Sequence, residues 1–186
     1  MNGIHIFFFL KNIPEPYLSV LKNSKLIVVR DSYSLNQLSI LGANHLPCPS
    51  FFASESVKNI SEIDKIALIF GTYKSPRSNN ITTKTYEFLI ETYKYILHEY
   101  NCEFVCHYVD ELEEVYKEFH GTNFNYSYDA EDYIKIYNKF DLVVGQRVHG
   151  ICLAASLGIR AVLSPQTGGA DTCKGFLSEI IEVTND

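Results

Sequence analysis

"FDLVVGQRVHGICLAASLGIRAVLS", residues 140–164, decides how this chain folds. "DLVVG" reads as a buried strand, and "GICLAASLG" as a helix of small and apolar residues that stops at Gly158. "RAVLS" reads as a second strand. Two apolar strands joined through a helix form a βαβ unit, whose crossover makes the strands parallel. Arg147 and His149 interrupt this apolar run in the loop "GQRVHG", although the whole chain holds only four arginines.

The same alternation extends upstream. "KIALIFG" (65–71) and "CEFVCHYV" (102–109) are strand-like, and "NFNYSY" (123–128) is a weaker strand. Between the first two, Tyr86, Leu89, Ile90, Tyr93, Ile96, Leu97 and Tyr100 recur at helical spacing. "DELEEVYKEFH" (110–120) is an acidic amphipathic helix, and "DAEDYIKIYNKF" (129–140) opens with acids suited to a helix N-terminus. The expected fold is α/β, a doubly wound parallel, Rossmann-like sheet over 65–186. Residues 1–52 read as a partial N-terminal α/β unit. It has strand-like "IHIFFFL" (4–10) and "SKLIVVR" (24–30), then a helix over "DSYSLNQLSILG" (31–42) with Asp31 or Ser32 as N-cap and Gly42 after its end. The prolines of "PCPSFF" (47–52) break regular structure, and polar "ASESVKNISEID" (53–64) reads as a linker.

Composition bounds the possible functions. The chain has 186 residues, 46% hydrophobic and 20% charged, which suits a soluble globular protein with one well-buried core. "IHIFFFL" is too short to span a bilayer and lacks the flanks of a signal peptide, so no integral membrane segment and a cytoplasmic location are expected. Five irregularly spaced cysteines do not suggest a disulfide framework. The net charge of −6 divides into +2 over residues 1–60 and −8 over 61–186. Without a basic stripe, a nucleic-acid partner is not expected. An anion would have to be held by a few placed cations and backbone amides.

In an open α/β sheet, ligands bind beyond the carboxyl ends of the strands, where loops enter helices. "GQRVHG" occupies such a place. A helix N-terminus there offers unpaired N–H groups, and Gly150 would let a ligand approach them. Arg147 adds a charged fork suited to phosphate or carboxylate, and His149 a group able to transfer a proton near neutral pH. The plainer reading has Arg147 reach to solvent or pair with an acid and leaves His149 as a helix cap. The pattern alone leaves the two level.

Arg30 stands at the matching strand end of the first unit, where a capping Asp31 beside an exposed arginine is the plainer reading. The loop "GTYKSPRSNN" lacks the phosphate-binding P-loop pattern; a solvated surface loop is its plainer reading, and the alternative offers Thr72, Lys74 and Arg77 as acceptor-side groups. Cys102, Cys106 and His107 resemble part of a metal site. On one strand, however, the cysteines share a face and His107 points away, so they read as core and no metal is expected. Cys48, between two prolines, has no neighbour to activate its thiol. The acids of "DELEEVYKEFH" read as one solvated face. "PQTGGADTCKG" (165–175) reads as a flexible polar loop, either covering a ligand or without a role.

Residues 140–164 resemble the signature of the polysaccharide pyruvyl transferase family: an aspartate opening a strand, glycine, a variable residue, Arg-x-His-Gly, a small-residue helix, glycine and a final strand. "LIVVRDSYSLNQLSILGA" followed by "PCPSFF" resembles the family's earlier Val-Arg-Asp segment and what succeeds it, and "KIALIFG" sits where the second domain of that family begins. The resemblance implies the C-terminal half of a glycosyltransferase-B-type fold, preceded by a first domain of which residues 1–52 are expected to be the last part. It implies transfer of the enolpyruvyl group of phosphoenolpyruvate onto a sugar or lipid-linked saccharide, forming a pyruvate ketal with no cofactor. Arg147, His149 and Arg30 then map onto the motif positions for donor binding, with His149 moving a proton. Two other functions fit the same scaffold: a nucleotide-sugar glycosyltransferase, and a non-catalytic module binding an anion or sugar.

Overall fold

The computed structural model describes residues 13–71, 82–164 and 168–180. The chain divides into two compact units between Cys48 and Pro49. In the first, helix α1 (Glu15–Asn23) precedes strand β1 (Val28–Val29), helix α2 (Ser32–Leu38) and strand β2 (Asn44–His45). The two strands are parallel, with Val28 opposite Asn44 and Val29 opposite His45. Asp31 caps α2 as the sequence predicts, accepting from the Ser34 N–H at 2.7 Å and from its hydroxyl at 3.0 Å. Gly42 ends the following turn with φ +74°, a conformation that favours glycine.

Two features of this unit differ from expectation. The strand over 24–30 shrinks to two residues, because β2 offers only two partners, and Leu26 and Val28 are exposed. Helix α1, with Pro16 in its first turn, had no counterpart in the sequence reading. "IHIFFFL" lies outside the described residues.

The second unit is a six-stranded parallel sheet in the order β5-β4-β3-β6-β7-β8. Its strands are β3 (Ile66–Ile69), β4 (Cys102–Val105), β5 (Phe124–Asn125), β6 (Leu142–Gly145), β7 (Arg160–Leu163) and β8 (Ser178–Ile180). Helices α3 (Thr83–Glu99), α4 (Val109–Glu118), α5 (Asp132–Tyr137) and α6 (Val148–Ser156) occupy the first four connections. Strand order therefore reverses between β3 and β6, the topological switch point of a Rossmann-like sheet.

The alternation of β3 assigns its side chains to two layers. Leu68 and Phe70 join Phe104, and meet Leu89, Ile90 and Tyr93 of α3 and Val115 and Phe119 at α4. Phe104 and Phe119 lie 4.7 Å apart between ring centroids, and Phe70 and Phe119 5.3 Å. Burying one such ring contributes about 1.5–3 kcal/mol. The Tyr93 hydroxyl, buried in the same layer, donates to the Ile69 carbonyl at 2.8 Å. Ile69 itself faces the opposite layer and meets α6.

The segment expected to be a linker is bonded to this sheet. Lys58 N–H donates to the Leu157 carbonyl at 2.7 Å. Its ammonium group donates to Asp141 Oδ1 at 2.7 Å and to the Phe140 carbonyl at 2.9 Å. Asp141 Oδ2 accepts from Asp64 and Lys65 N–H at 3.1 and 3.0 Å. The aspartate that opens the 140–164 stretch is thus a structural tie at the amino end of the sheet. Further along, residues 171–175 of the supposed flexible loop are partly packed: Thr172 and Cys173 are buried, the latter with its Sγ 3.7 Å from that of Cys152 on α6. β8 beyond them was not foreseen. Among the described residues, no helix is long and apolar enough to cross a membrane.

An Asp141→Ala variant is expected to lose about 1.5–3 kcal/mol of unfolding free energy in urea titration, the range for hydrogen bonds to a charged group. Its Lys58 hydrogen bond leads in holding the Asp141 carboxyl below the usual range. The stabilisation is therefore complete above the unfolded value of about 3.9 and disappears as pH falls through the lower folded value. Wild type and variant should converge there; a gap that widens in acid would contradict the assignment.

Candidate active site

The turns after β4, β5 and β6 open onto a cleft of about 910 Å³ within the second unit. Each wall comes from a strand-to-helix turn. His107 and Tyr108 follow β4, Tyr126 and Ser127 follow β5, and Arg147 and His149 follow β6. Ser50 and Ala53, from the segment after the unit boundary, line it as well. The sequence-predicted pair Arg147 and His149 is therefore brought to one cavity at the switch point.

Arg147 is gripped on one edge. Its Nε donates to Glu111 Oε1 at 2.8 Å, and Nη2 approaches the same oxygen at 2.6 Å. Glu111 is 0% exposed. Its other oxygen accepts from the backbone N–H of His107 at 2.6 Å and of Tyr108 at 3.3 Å. The Tyr108 ring lies under the guanidinium, 4.9 Å from Cζ to centroid. Burial pushes the Glu111 carboxyl up, while Arg147 and the two N–H groups pull it down. Arg147 thus pairs with an acid, as the plainer reading had it, and also lines the cleft.

Reaching Glu111 requires Arg147 to cross the end of β3. A Cβ on Gly71 would lie 3.9 Å from Arg147 Nε and 2.8 Å from Gln146 Oε1. That Gln146 oxygen accepts from the Gly71 N–H at 3.2 Å, closing the gap between β3 and β6. The residue that the signature treats as variable thus fixes the approach of the arginine.

Gly150 serves a purpose other than the expected one. A Cβ there would meet Tyr137 Oη at 2.4 Å, Ile69 Cδ1 at 2.5 Å and His107 Cε1 at 3.1 Å. The space left by the missing side chain is filled by protein, and α6 packs through it onto the sheet. His149, one residue earlier, is exposed at the cleft wall.

Arg30 is half-buried in the first unit with Nη1 3.8 Å from Cys48 Sγ, and Cys48 is itself buried. Thr72, Lys74 and Arg77 lie outside the described residues. Cys106 sits in the core, Cys102 is half-buried, and β4 ends at Val105, so His107 belongs to the cleft rather than to a strand face. The acidic helix is not one solvated face. Glu111 and Glu114 are both buried, the latter accepting from the Tyr86 hydroxyl. Sequence reasoning missed Glu111, His107 and Tyr137. The available signal was an acid in the first turn of a helix that begins at the carboxyl edge of the sheet.

A family profile described as polysaccharide pyruvyl transferase matches residues 3–164. Comparison with functionally curated proteins gives no match. Among solved structures, the chain is similar to the glycotransferase of kitacinnamycin, with 18% identity over 69% of this chain and 33% of that one and a TM-score of 0.39. It is also similar to the glycosyltransferase SnogD from Streptomyces nogalater, with 10% identity over 67% and 35% of the two chains and a TM-score of 0.36. The chain spans 33% and 35% of the length of these structures.

Removing Glu111 leaves Arg147 without its counter-charge. Glu111→Ala is expected to lose about 3–5 kcal/mol in equilibrium unfolding; a loss under about 1 kcal/mol would match a solvent-screened pair instead. Gly150→Ala should cost about 1–3 kcal/mol by overpacking, read as a lowered melting temperature.

Proposed function

The chain belongs to the polysaccharide pyruvyl transferase family, and from that premise we propose that it moves the enolpyruvyl group of phosphoenolpyruvate onto a saccharide. The observation that carries this reading is the cleft itself: a fixed, partly neutralised arginine and an exposed histidine at the switch point of a parallel sheet. Phosphoenolpyruvate presents a phosphate and a carboxylate. Glu111 occupies the Nε and Nη2 edge of Arg147, and the guanidinium makes no hydrogen bond through Nη1 among the described residues. That corner is the one offered to a donor oxygen. The start of α6 lies beside it in sequence, and a helix N-terminus favours negative charge.

The reaction balances with the groups at hand. A proton goes to the donor's methylene carbon, making a methyl group, while one sugar hydroxyl bonds to the adjacent carbon. A second hydroxyl then attacks that carbon, the bond to phosphate breaks, and inorganic phosphate leaves with the remaining proton. His149 delivers the first proton or removes one from an attacking hydroxyl. Arg147 balances charge on the departing phosphate. Arg30 is proposed as a donor-binding residue, and Thr72, Lys74 and Arg77 as acceptor-side groups. We place the protein in the cytoplasm, where phosphoenolpyruvate is made.

His149→Ala is expected to lower kcat about 10²–10⁴-fold, the usual contribution of a general acid or base. Arg147→Ala should lose donor affinity and turnover together, and Arg30→Ala should raise the KM for phosphoenolpyruvate. These are measured by phosphate release with a saccharide acceptor, with circular dichroism confirming the fold. Turnover near wild type in both the Arg147 and His149 variants would refute the reading. Calorimetry against phosphoenolpyruvate and UDP- or GDP-sugars distinguishes it from a nucleotide-sugar transferase, and ligand binding without turnover would point to a binding module.

A further inference from the structure

His107 lines the same cleft as Arg147 and His149, yet no motif assigns it a part. Its ring is held on two sides. It stacks on Tyr133 with centroids 5.1 Å apart, and its Nε2 lies 3.0 Å from the Tyr137 hydroxyl. Tyr133 is fixed in turn by its hydroxyl, which donates to the Cys106 carbonyl at 2.6 Å. Nδ1, the other ring nitrogen, is buried and has no hydrogen-bond partner among the described residues.

The tautomer follows from counting donors and acceptors. Tyr137 is 0% exposed, and His107 Nε2 is the one hydrogen-bond partner of its hydroxyl among the described residues. If Nε2 carried the proton, the Tyr137 O–H would be buried with no acceptor, at a cost of about 1–3 kcal/mol. With the tyrosine donating, Nε2 accepts and the ring proton must sit on Nδ1. The imidazole stays neutral, because burial, assisted by the charges of Arg147 and His149, drives it down to about 3. What remains is a buried N–H donor without an acceptor at the wall of a ligand cleft. Such groups in folded proteins are rare and need a partner.

We propose that His107 is held as its Nδ1–H tautomer by Tyr137, and that this N–H donates to an anionic oxygen of the ligand bound beside Arg147. The ligand class is a carboxylate or phosphate ester, and the identity of that ester rests on the donor reading above. Tyr137 acts as a positioning residue, since it sets which ring nitrogen is the donor without touching the ligand. The arrangement also accounts for Gly150, because a side chain there would displace both Tyr137 Oη and His107 Cε1. It divides the work between two histidines: His107 stays neutral and binds, while exposed His149 moves protons.

The full chain, labelled with ¹⁵N at histidine, tests the tautomer directly by imidazole nitrogen shifts. The expected spectrum shows His107 protonated at Nδ1 and unchanged from pH 8 to pH 5. A proton on Nε2 would overturn the proposal, and Tyr137→Phe should give a mixture of tautomers. Binding tests the contact. His107→Gln, which keeps a polar atom near Nε2 only, should weaken phosphoenolpyruvate binding in calorimetry by about tenfold to a hundredfold. His107→Asn, whose amide can stand near Nδ1, should lose distinctly less. Equal affinity in wild type and the glutamine variant would sink the contact while leaving the donor reading intact. If wild type ignores phosphoenolpyruvate but binds inorganic phosphate or UDP, and the glutamine variant weakens that binding, the donor reading falls and this contact stands.

Discussion

The buried ion pair between Arg147 and Glu111 organises the cleft. A carboxylate at 0% exposure is costly unless it is paired and hydrogen-bonded. Here two backbone N–H groups and a guanidinium meet that need. The same contacts serve three elements at once. They terminate β4, start α4, and draw the loop after β6 over the end of β3. Because Arg147 is anchored along one edge, its remaining corner is presented in a fixed direction rather than swept through solvent. Such preorganisation is what a site needs to recognise a small doubly charged molecule.

Around that pair, small residues act by absence. Gly71 leaves a path for the arginine and for Gln146, and Gly150 lets the Tyr137 hydroxyl and the His107 ring fill the layer between α6 and the sheet. The family signature therefore mixes roles that look alike when written as letters. Asp141 holds the opposite end of the sheet, Gly150 is a packing position, and Arg147 and His149 line the cleft. At about 910 Å³ the cleft is near the upper end of small-molecule sites, and tyrosines after β5 line part of it.

Sequence alone determined the α/β class, the parallel order of elements, the cap at Asp31, the helix ends at Gly42 and Gly158, and the strand-end position of Arg147 and His149. Each of these depends on periodicity or on the conformational habits of residues within a few positions, so each is legible locally. Tertiary structure alone decided what those residues touch. Glu111 lies 36 positions from Arg147 in the chain, and they meet only because β4, β3 and β6 are neighbours in the sheet. Strand order likewise moved His107 from a supposed core face to the cleft, made Glu111 and Glu114 internal, and turned a polar linker into a strap anchored by Lys58. Local patterning records which faces are apolar. It carries no record of which strand lies beside which, and that adjacency is what gives the buried charges their partners.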